Sequence, residues 1–168
     1  MLSLLHIENI AVIEQADISF DKGFNVLTGE TGAGKSIVID AISAILGQRA
    51  YRDMIRTGAN KASVRAVFTR VPMLSWFAEN GVEYDEETVI QRDIFMDGKN
   101  VCRVNGVLVT VAILHKLGVQ LINIHGQHDS ATLFDEENHL RFLDAFADNG
   151  DLRADYQEKF AAVSALRR

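Results

Sequence analysis

Apolar and polar residues alternate along much of the first 125 residues, with the period of two that half-buried strands show. With its flanking turn residues, this alternation predicts strands over residues 2–7, 11–20, 24–28, 61–68, 88–95, 101–104 and 120–125. The first two are expected to join at Glu8-Asn9. Short helices are predicted from Pro72 to Phe77 and over residues 110–117, with Gly118 ending the second. Strands mixed with helices in this way predict an α/β fold.

A further helix is predicted over residues 35–46, and it is apolar almost all round, so we expect it to be buried. Its polar residues Ser36, Asp40 and Ser43 recur at spacings of four and three, which places them on one narrow stripe. That stripe is expected to meet solvent or a ligand. Gly47 is the expected end of the helix.

From Asp135 onward the pattern is helical. Leu140, Leu143 and Phe146 share one face of a first helix, which Asn149-Gly150 separates from a second. The second carries an apolar stripe at Leu152, Tyr156, Phe160, Val163 and Leu166. This stripe reaches the last residues without a stop signal, so the sequence predicts the beginning of a longer helix.

The composition is that of an ordinary soluble domain, with 168 residues of which 48% are hydrophobic and 24% are charged. No apolar run reaches the roughly 20 residues that cross a bilayer, and the N-terminus does not have the pattern of a secretory signal. A single cysteine, Cys102, excludes an internal disulfide and fits a reducing compartment. These features predict a cytoplasmic protein.

The charge is unevenly spread along the chain. The net charge is −6, which argues against general nucleic-acid binding by the whole chain. Residues 49–70, however, hold six basic side chains and one acid, Asp53, so this segment is at +5 and the remainder at −11. Either the segment is a solvated surface, or it is an edge that faces an anion such as a nucleotide or DNA.

One loop carries a specific chemical pattern, G-x-x-x-x-G-K-[S/T], between a predicted strand and a predicted helix. The matching residues are Gly29, Glu30, Thr31, Gly32, Ala33, Gly34, Lys35 and Ser36. The glycines let successive backbone N–H groups turn toward phosphate oxygens, and the following helix directs its positive end at the same phosphates. Lys35 is expected to reach the β- and γ-phosphates and Ser36 to ligate Mg²⁺. The loop therefore predicts a P-loop that binds ATP with Mg²⁺.

Other nucleotide-binding classes fit less well. A Rossmann dinucleotide loop has no role for Lys35-Ser36 and needs a different glycine spacing. A GTPase would need Asn-Lys-x-Asp, and the only Asn-Lys pair, Asn60-Lys61, is not followed by that Asp. A small-molecule kinase would need a lid and a catalytic acid that the sequence does not show.

Several stretches of the chain resemble the N-terminal half of the RecF/RecN/SMC group of ATPase heads. They are Leu4, Ile7, Asn9 and Ile10, then Gly23 to Ser36, Leu46-Gly47-Gln48-Arg49-Ala50, Ile55-Arg56-Thr57-Gly58-Ala59, and Ile124-His125-Gly126-Gln127-His128. The resemblance runs from Met1 to about Phe146. It implies a P-loop NTPase fold in which a mixed sheet surrounds a buried P-loop helix. It also implies two parts, with residues 1–148 as the N-terminal lobe of a head and residues 151–168 as the start of a coiled-coil arm.

The resemblance assigns roles to residues outside the P-loop. Gln127 would be the Q-loop glutamine, which joins the Mg²⁺ shell, senses the γ-phosphate and makes up the catalytic pair with Lys35. Arg56 would either lie near the nucleotide and link DNA contact to ATP turnover, or form a surface salt bridge. His125 and His128 could be read as a metal pair, but no further ligand is close in sequence, so histidines beside the Q-loop are the better interpretation.

The resemblance also shows what the sequence lacks. No apolar strand ends in Asp-Glu and no Ser-Gly-Gly occurs, although the family completes its site with these motifs in a C-terminal half. The chain is therefore expected to be half of a head, which binds ATP weakly, hydrolyses it negligibly, and exposes apolar surface and a strand edge. The implied partners are that C-terminal half, a second head in an ATP-dependent dimer, and DNA, contacted through Arg52, Lys61 and Arg65.

The implied function is ATP-driven engagement of heads in DNA double-strand-break repair and recombination, by a nucleoid-associated cytoplasmic protein. This role depends on the resemblance alone. Two alternatives remain: an ATPase subunit of another ABC-type system, and a nucleotide-binding interaction module without turnover.

Overall fold

The computed structural model describes residues 1–29, 34–124, 136–147 and 149–166. Its contacts divide the chain into two compact units, Met1–Asn123 and Ile124–Arg168. The predicted division into a lobe over residues 1–148 and an arm over residues 151–168 stays a prediction. None of the described helices is both long and apolar enough to span a bilayer.

A six-stranded sheet forms the body of the first unit. Its strands are β1 (Leu2–Ile10), β2 (Ile13–Ser19), β3 (Lys61–Phe68), β4 (Thr88–Phe95), β5 (Asn100–Val104) and β6 (Val107–Val109). They lie in the order β2-β1-β3-β4-β5-β6, and every neighbouring pair is antiparallel. The sequence correctly located β1 to β5, because in a strand successive side chains point to opposite faces, and in β1 and β3 one of these faces carries the buried apolar residues.

Two helices pack on the buried face of this sheet, α1 (Lys35–Ile45) and α3 (Val111–Leu121), and a short helix α2 (Ser75–Glu79) lies between β3 and β4 in sequence. The core is made of fully buried aliphatic and aromatic side chains from the sheet and both helices. It includes Leu5, Ile7, Val64, Ala66, Phe68, Ile90, Ile94, Ala41, Ile45, Leu114 and Leu117. The opposite face carries a polar row in which His6, Arg65, Gln91 and Arg103 are register partners on successive strands.

The strand expected over residues 24–28 is absent from the described structure, where this segment has no regular structure. An isolated strand leaves its backbone groups unpaired, and no described strand pairs with this segment. Every neighbouring pair of strands in the described sheet is antiparallel, whereas the sequence predicted a mixed sheet. The side chains of Phe24 and Val26 are 93% and 62% exposed.

The segment after β6 also differs from expectation. Gly118 was expected to end a helix and residues 120–125 to form a strand, but α3 runs through Gly118 to Leu121 and residues 122–124 are not in a strand. The structure shows why a glycine stands there. A Cβ on Gly118 would lie 2.3 Å from the carbonyl oxygen of Leu46, so the residue permits close helix packing instead of stopping the helix.

Turns account for the remaining differences. β1 extends to Ile10, and the chain reverses at Ala11 and Val12 instead of at Glu8-Asn9. The strand β6 was not foreseen; it follows the predicted turn at Asn105-Gly106, where both residues have positive φ angles of 47° and 81°.

The second unit contains α4 (Glu136–Ala147) and α5 (Gly150–Leu166), as the helical pattern predicted. All residues of α5 are exposed, including the whole apolar stripe from Leu152 to Leu166. Within that stripe the rings of Tyr156 and Phe160 stack with their centroids 6.0 Å apart. The side chains of the stripe are between 48% and 87% exposed, so in the described structure burial of this stripe contributes little to the stability of α5.

Candidate functional site

The beginning of α1 is suited to hold an anion. Gly34 occupies the N-cap position with φ −126° and ψ −43°, no side chain caps the first turn, and that turn holds no acidic residue. The first N–H groups of a helix lack intrahelical partners, and the helix dipole places partial positive charge there. Because no side chain of Gly34 or of the first helical turn compensates either, this end of α1 is suited to a bound anion.

Lys35 and the ends of the glycine-rich loop lie together. The Lys35 ammonium donates a hydrogen bond to the carbonyl oxygen of Gly29, so it reaches back across the loop. Gly34 and Ser36 are exposed at the same place. The middle of the loop, Glu30, Thr31, Gly32 and Ala33, lies outside the described residues. The described part thus brings together Gly29, Gly34, Lys35 and Ser36, and their role in nucleotide binding stays a prediction.

The polar stripe of α1 lines a cavity of about 310 Å³. Asp40 and Ser43, one and two turns beyond Ser36, contribute to this cavity together with Ile37. Its other walls come from the turn after β1 and from the segment that follows α1, namely Ile10, Ala11, Arg49, Tyr51, Asp53 and Met54. The stripe therefore faces an open space, as expected. The predicted burial of α1 is incomplete, however, since Ile39 is 46% exposed.

Arg56 contacts the turn that joins β1 to β2. Its Nη1 donates to the carbonyl oxygen of Val12 over 2.8 Å, and its Nη2 lies 3.8 Å from the Glu14 carboxylate. The backbone N–H of Arg56 also donates to the Asn9 carbonyl over 2.9 Å. Of the two interpretations left open by the sequence, the ion pair is present in the structure, and the nucleotide role stays a prediction.

The other residues that the resemblance singled out near the nucleotide, His125, Gln127 and His128, lie outside the described residues. Within the described part of the chain, no group of three or more His, Cys, Asp or Glu side chains is placed to hold a metal ion. Of the two predicted Mg²⁺ ligands, only Ser36 can be located.

The three basic residues considered for DNA contact differ in their surroundings. Arg52 donates to the carbonyl oxygen of Asp97 over 3.2 Å. Lys61 lies 3.6 Å from the Asp93 carboxylate, which also attracts Arg103 at 3.5 Å. In the part of the chain that the structure describes, the Arg65 guanidinium donates to a neutral amide, the Gln91 side-chain oxygen, over 3.5 Å. The positive charge of Arg65 is therefore better available to an external anion than that of Lys61.

The sequence analysis overlooked Arg92, which is 2% exposed and faces α1 from the middle of β4. Its Nη1 donates to the carbonyl oxygens of Ala44 and Gln48 over 2.7 Å and 2.6 Å, at the C-terminal end of α1. Burial lowers the pKa of the Arg92 guanidinium, and the facing Cys102 partly opposes that shift. The alternation of side chains along a strand could have predicted that Arg92 is buried, because it places Arg92 on the same face of β4 as Ile90 and Ile94.

Comparisons with known proteins agree with this geometry. A family model described as AAA domain matches residues 4–101. The DNA repair protein RecN of Bacillus subtilis (strain 168) is 50% identical over 151 residues, which cover 88% of this chain and 26% of the relative. The chain thus spans about a quarter of that relative's length.

Solved structures share the fold. One solved structure comes from a study of the ATP-driven dimerization and DNA-stimulated activation of SMC ATPases. It has a TM-score of 0.63 at 23% identity, and the match covers 84% of this chain and 95% of that chain. An Smc head domain with an extended coiled coil, from Pyrococcus furiosus, has a TM-score of 0.68 at 22% identity, covering 99% and 46%. The described fold is therefore that of the N-terminal lobe of an SMC-type ATPase head, as the sequence predicted.

Proposed function

Because the chain belongs to the AAA domain family, we propose that it binds ATP with Mg²⁺ at the loop from Gly29 to Ser36. We propose further that it forms the N-terminal half of an ATPase head acting in DNA double-strand-break repair and recombination. The observation that carries the proposal is that Gly34 begins α1 without a side-chain cap while the Lys35 ammonium turns back to the Gly29 carbonyl. The 50% identity to a DNA repair protein RecN supports the choice of repair over another ABC-type system.

In this proposal the phosphates replace a backbone contact of the lysine. The Lys35 ammonium, which donates to the Gly29 carbonyl, would turn to the β- and γ-phosphate oxygens, because a phosphate anion is a stronger acceptor than a neutral carbonyl. The backbone N–H groups from Gly29 through Gly34, including those of Glu30, Thr31, Gly32 and Ala33, would surround the phosphates. Ser36 would ligate Mg²⁺ through its hydroxyl.

The cavity beside Asp40 and Ser43 supports this arrangement, because it opens on the face of α1 that also carries Ser36. One helical turn rises about 5.4 Å, so a molecule bound by its phosphates at the start of α1 could extend its remaining part along this face. Gln127 would complete the Mg²⁺ shell, and Arg56 would act from the neighbouring turn.

Turnover requires groups that this chain lacks. We propose that a C-terminal half supplies the general base and that a second head supplies the signature loop, so the chain alone binds ATP but hydrolyses it negligibly. The exposed apolar side chains of Phe24, Val26, Leu27 and Ile39 support such a partner half, because surface of this kind is normally covered. Substantial hydrolysis by the purified chain, abolished by Lys35→Ala, would contradict this part of the proposal.

Binding can be tested by isothermal titration of the chain with ATPγS and Mg²⁺. We expect Lys35→Ala to weaken binding by about 10- to 100-fold, which corresponds to the roughly 1.5–3 kcal/mol of a charged hydrogen bond. Lys116→Ala, which removes an exposed lysine on α3, is the matched control and should bind like the wild type. A folded wild-type chain that gives no binding heat, or equal affinities for all three proteins, would refute the proposal.

DNA contact would occur in the full-length protein. Of Lys61 and Arg65, the surroundings favour Arg65, because Lys61 lies 3.6 Å from the Asp93 carboxylate whereas the described side-chain contact of Arg65 is to the neutral Gln91 amide. The substitution Arg65→Glu should therefore reduce the DNA-stimulated ATP turnover of the full-length protein more than Lys61→Glu does. Unchanged stimulation in both variants would remove this surface from consideration.

A further inference from the structure

The buried guanidinium of Arg92 joins three segments of the first unit. Besides the two carbonyl oxygens at the end of α1, it contacts β5, where its Nε donates to the Asn100 side-chain oxygen over 3.0 Å. All three of these acceptors are neutral oxygens. Burying a charge is costly unless hydrogen bonds compensate it, so the position of Arg92 depends on these contacts being kept.

The end of α1 explains why a cation is held there. The last turn of α1 contains no basic residue, although the helix dipole places partial negative charge at that end. Gly47, with φ +80°, closes the helix, and the N–H of Gln48 donates to the Ser43 carbonyl over 3.0 Å. Arg92 binds the carbonyls of Ala44 and Gln48 on either side of this closure. The sheet therefore supplies the charge that the helix itself lacks.

The opposite end of the same helix carries Lys35 and Ser36. The helix has eleven residues, so at 1.5 Å per residue its two ends are about 15 Å apart. A pivot of only about 4° at the anchored end therefore moves the start of α1 by about 1 Å, enough to lengthen hydrogen bonds from the first-turn N–H groups beyond their normal range. Fixing one end of α1 thus fixes the direction of the other.

We propose that Arg92 is a positioning residue for the nucleotide site, an inference that depends on the proposed function. By holding the C-terminal end of α1 against β4 and β5, Arg92 sets where the N-terminal N–H groups, Lys35 and Ser36 point. Through its contact with Gln48 it also orders the following segment, whose residues Arg49, Tyr51 and Asp53 line the cavity beside α1. Arg92 itself touches neither phosphate nor metal.

The substitution Arg92→Lys tests this inference in the chain as it stands. It keeps the charge but replaces a planar fork of donors with one compact ammonium, which cannot hold both carbonyls and Asn100 in the same geometry. We expect ATPγS·Mg²⁺ to bind about tenfold more weakly, equivalent to the loss of about one charge-assisted hydrogen bond. The apolar variant Arg92→Met should bind more weakly still.

A second measurement needs no nucleotide. Amide hydrogen exchange of the free chain should become about fivefold faster over residues 44–54 in Arg92→Lys, as expected when local opening loses about one hydrogen bond. Exchange in β1 and β3 should be unchanged. Arg103→Lys is the matched control, because Arg103 stands on the neighbouring strand, faces the opposite side of the sheet and is 38% exposed. It should leave both affinity and exchange unaltered.

The outcomes separate the inference from the proposed function. If the wild type does not bind, or Lys35→Ala binds equally well, the proposed function fails. If the wild type binds ATPγS and Lys35→Ala does not, two results would overturn the positioning role. One is an affinity of Arg92→Lys for ATPγS equal to that of the wild type. The other is a weaker affinity of Arg92→Lys without faster amide exchange over residues 44–54. A variant that only melts earlier, with unchanged affinity at a temperature where it is folded, would show a merely structural role. If Arg92→Met fails to fold, the same two measurements on Arg92→Lys and on Asn100→Ala, which removes the acceptor of the Arg92 Nε, still decide between these results.

Discussion

The contact between α3 and the end of α1 makes a sharp prediction for Gly118→Ala. A Cβ built on Gly118 would lie 2.3 Å from the carbonyl oxygen of Leu46 and 2.8 Å from its carbonyl carbon and Cα. All of these atoms are backbone, so no side-chain rotation can relieve the clash. The two helices would have to separate by about 1 Å, which also loosens the packing of the fully buried Leu114 and Leu117 on α3.

Two opposing contributions set the magnitude. Alanine is favoured over glycine within a helix by about 1 kcal/mol, whereas an added methyl group in a tightly packed interior costs about 1–3 kcal/mol, and a backbone clash lies at the upper end. The net expectation is a loss of about 2 kcal/mol in the free energy of unfolding. For the unit of 123 residues, this corresponds to a fall in Tm of about 6 to 10 °C.

Trp76 offers a local probe for this measurement. It is the only tryptophan of the chain, it is 3% exposed, and its Nε1 donates to the carbonyl oxygen of Ile113 on α3 over 3.0 Å. Urea unfolding followed by its fluorescence and by circular dichroism should give the same loss for Gly118→Ala. Gly150→Ala is the control, because a Cβ there meets nothing within 4 Å. Helix propensity alone would make Gly118→Ala more stable than the wild type, and that result would refute the packing explanation.

Two further predictions concern stability. The Thr110 side chain caps α3 by accepting a hydrogen bond from the N–H of Ile113 over 3.2 Å. Thr110→Ala should therefore lower the free energy of unfolding in urea by about 1 kcal/mol. An equal loss in Thr110→Ser, which keeps the acceptor, would argue against the cap. Burial raises the folded-state pKa of Cys102 above its ordinary value of 9.0, so the unfolded chain loses this proton first as pH rises. The stability that the thiol contributes is present below pH 9.0 and declines above it. Cys102→Ala should therefore reduce the fall in stability between about pH 8 and about pH 10, and equal slopes in both proteins would contradict the assignment.

Much of the sheet could be predicted because its signal is local. In β3, Ala62, Val64, Ala66 and Phe68 recur at every second position, and this alternation follows from one face of the strand being buried beside α1. The motif from Gly29 to Ser36 was equally local, since its residue types are set by the geometry of a phosphate loop. Such features need no knowledge of the rest of the chain.

The remaining features depend on distant neighbours. Phe24 to Thr28 has the residues of a strand, but a strand requires a partner, and none of the described strands pairs with it. Gly118 has the residue type of a helix stop, but its role is set by the backbone of Leu46, which is far away in sequence. Arg92 interrupts an apolar face, and only the folded structure shows that helix carbonyls satisfy it.

The two ends of α1 together favour a nucleotide over an empty structural loop. Charges at its two ends stabilise a helix, cations at the C-terminus and anions at the N-terminus. The sequence of α1 provides neither, since it has no basic residue in its last turn and no acidic residue in its first. The fold supplies the missing cation from β4 through Arg92, at the considerable cost of burying a guanidinium. At the other end, the Lys35 ammonium donates a hydrogen bond to the carbonyl oxygen of Gly29. The triphosphate that we propose would add negative charge at this end of α1, where the helix sequence carries none in its first turn.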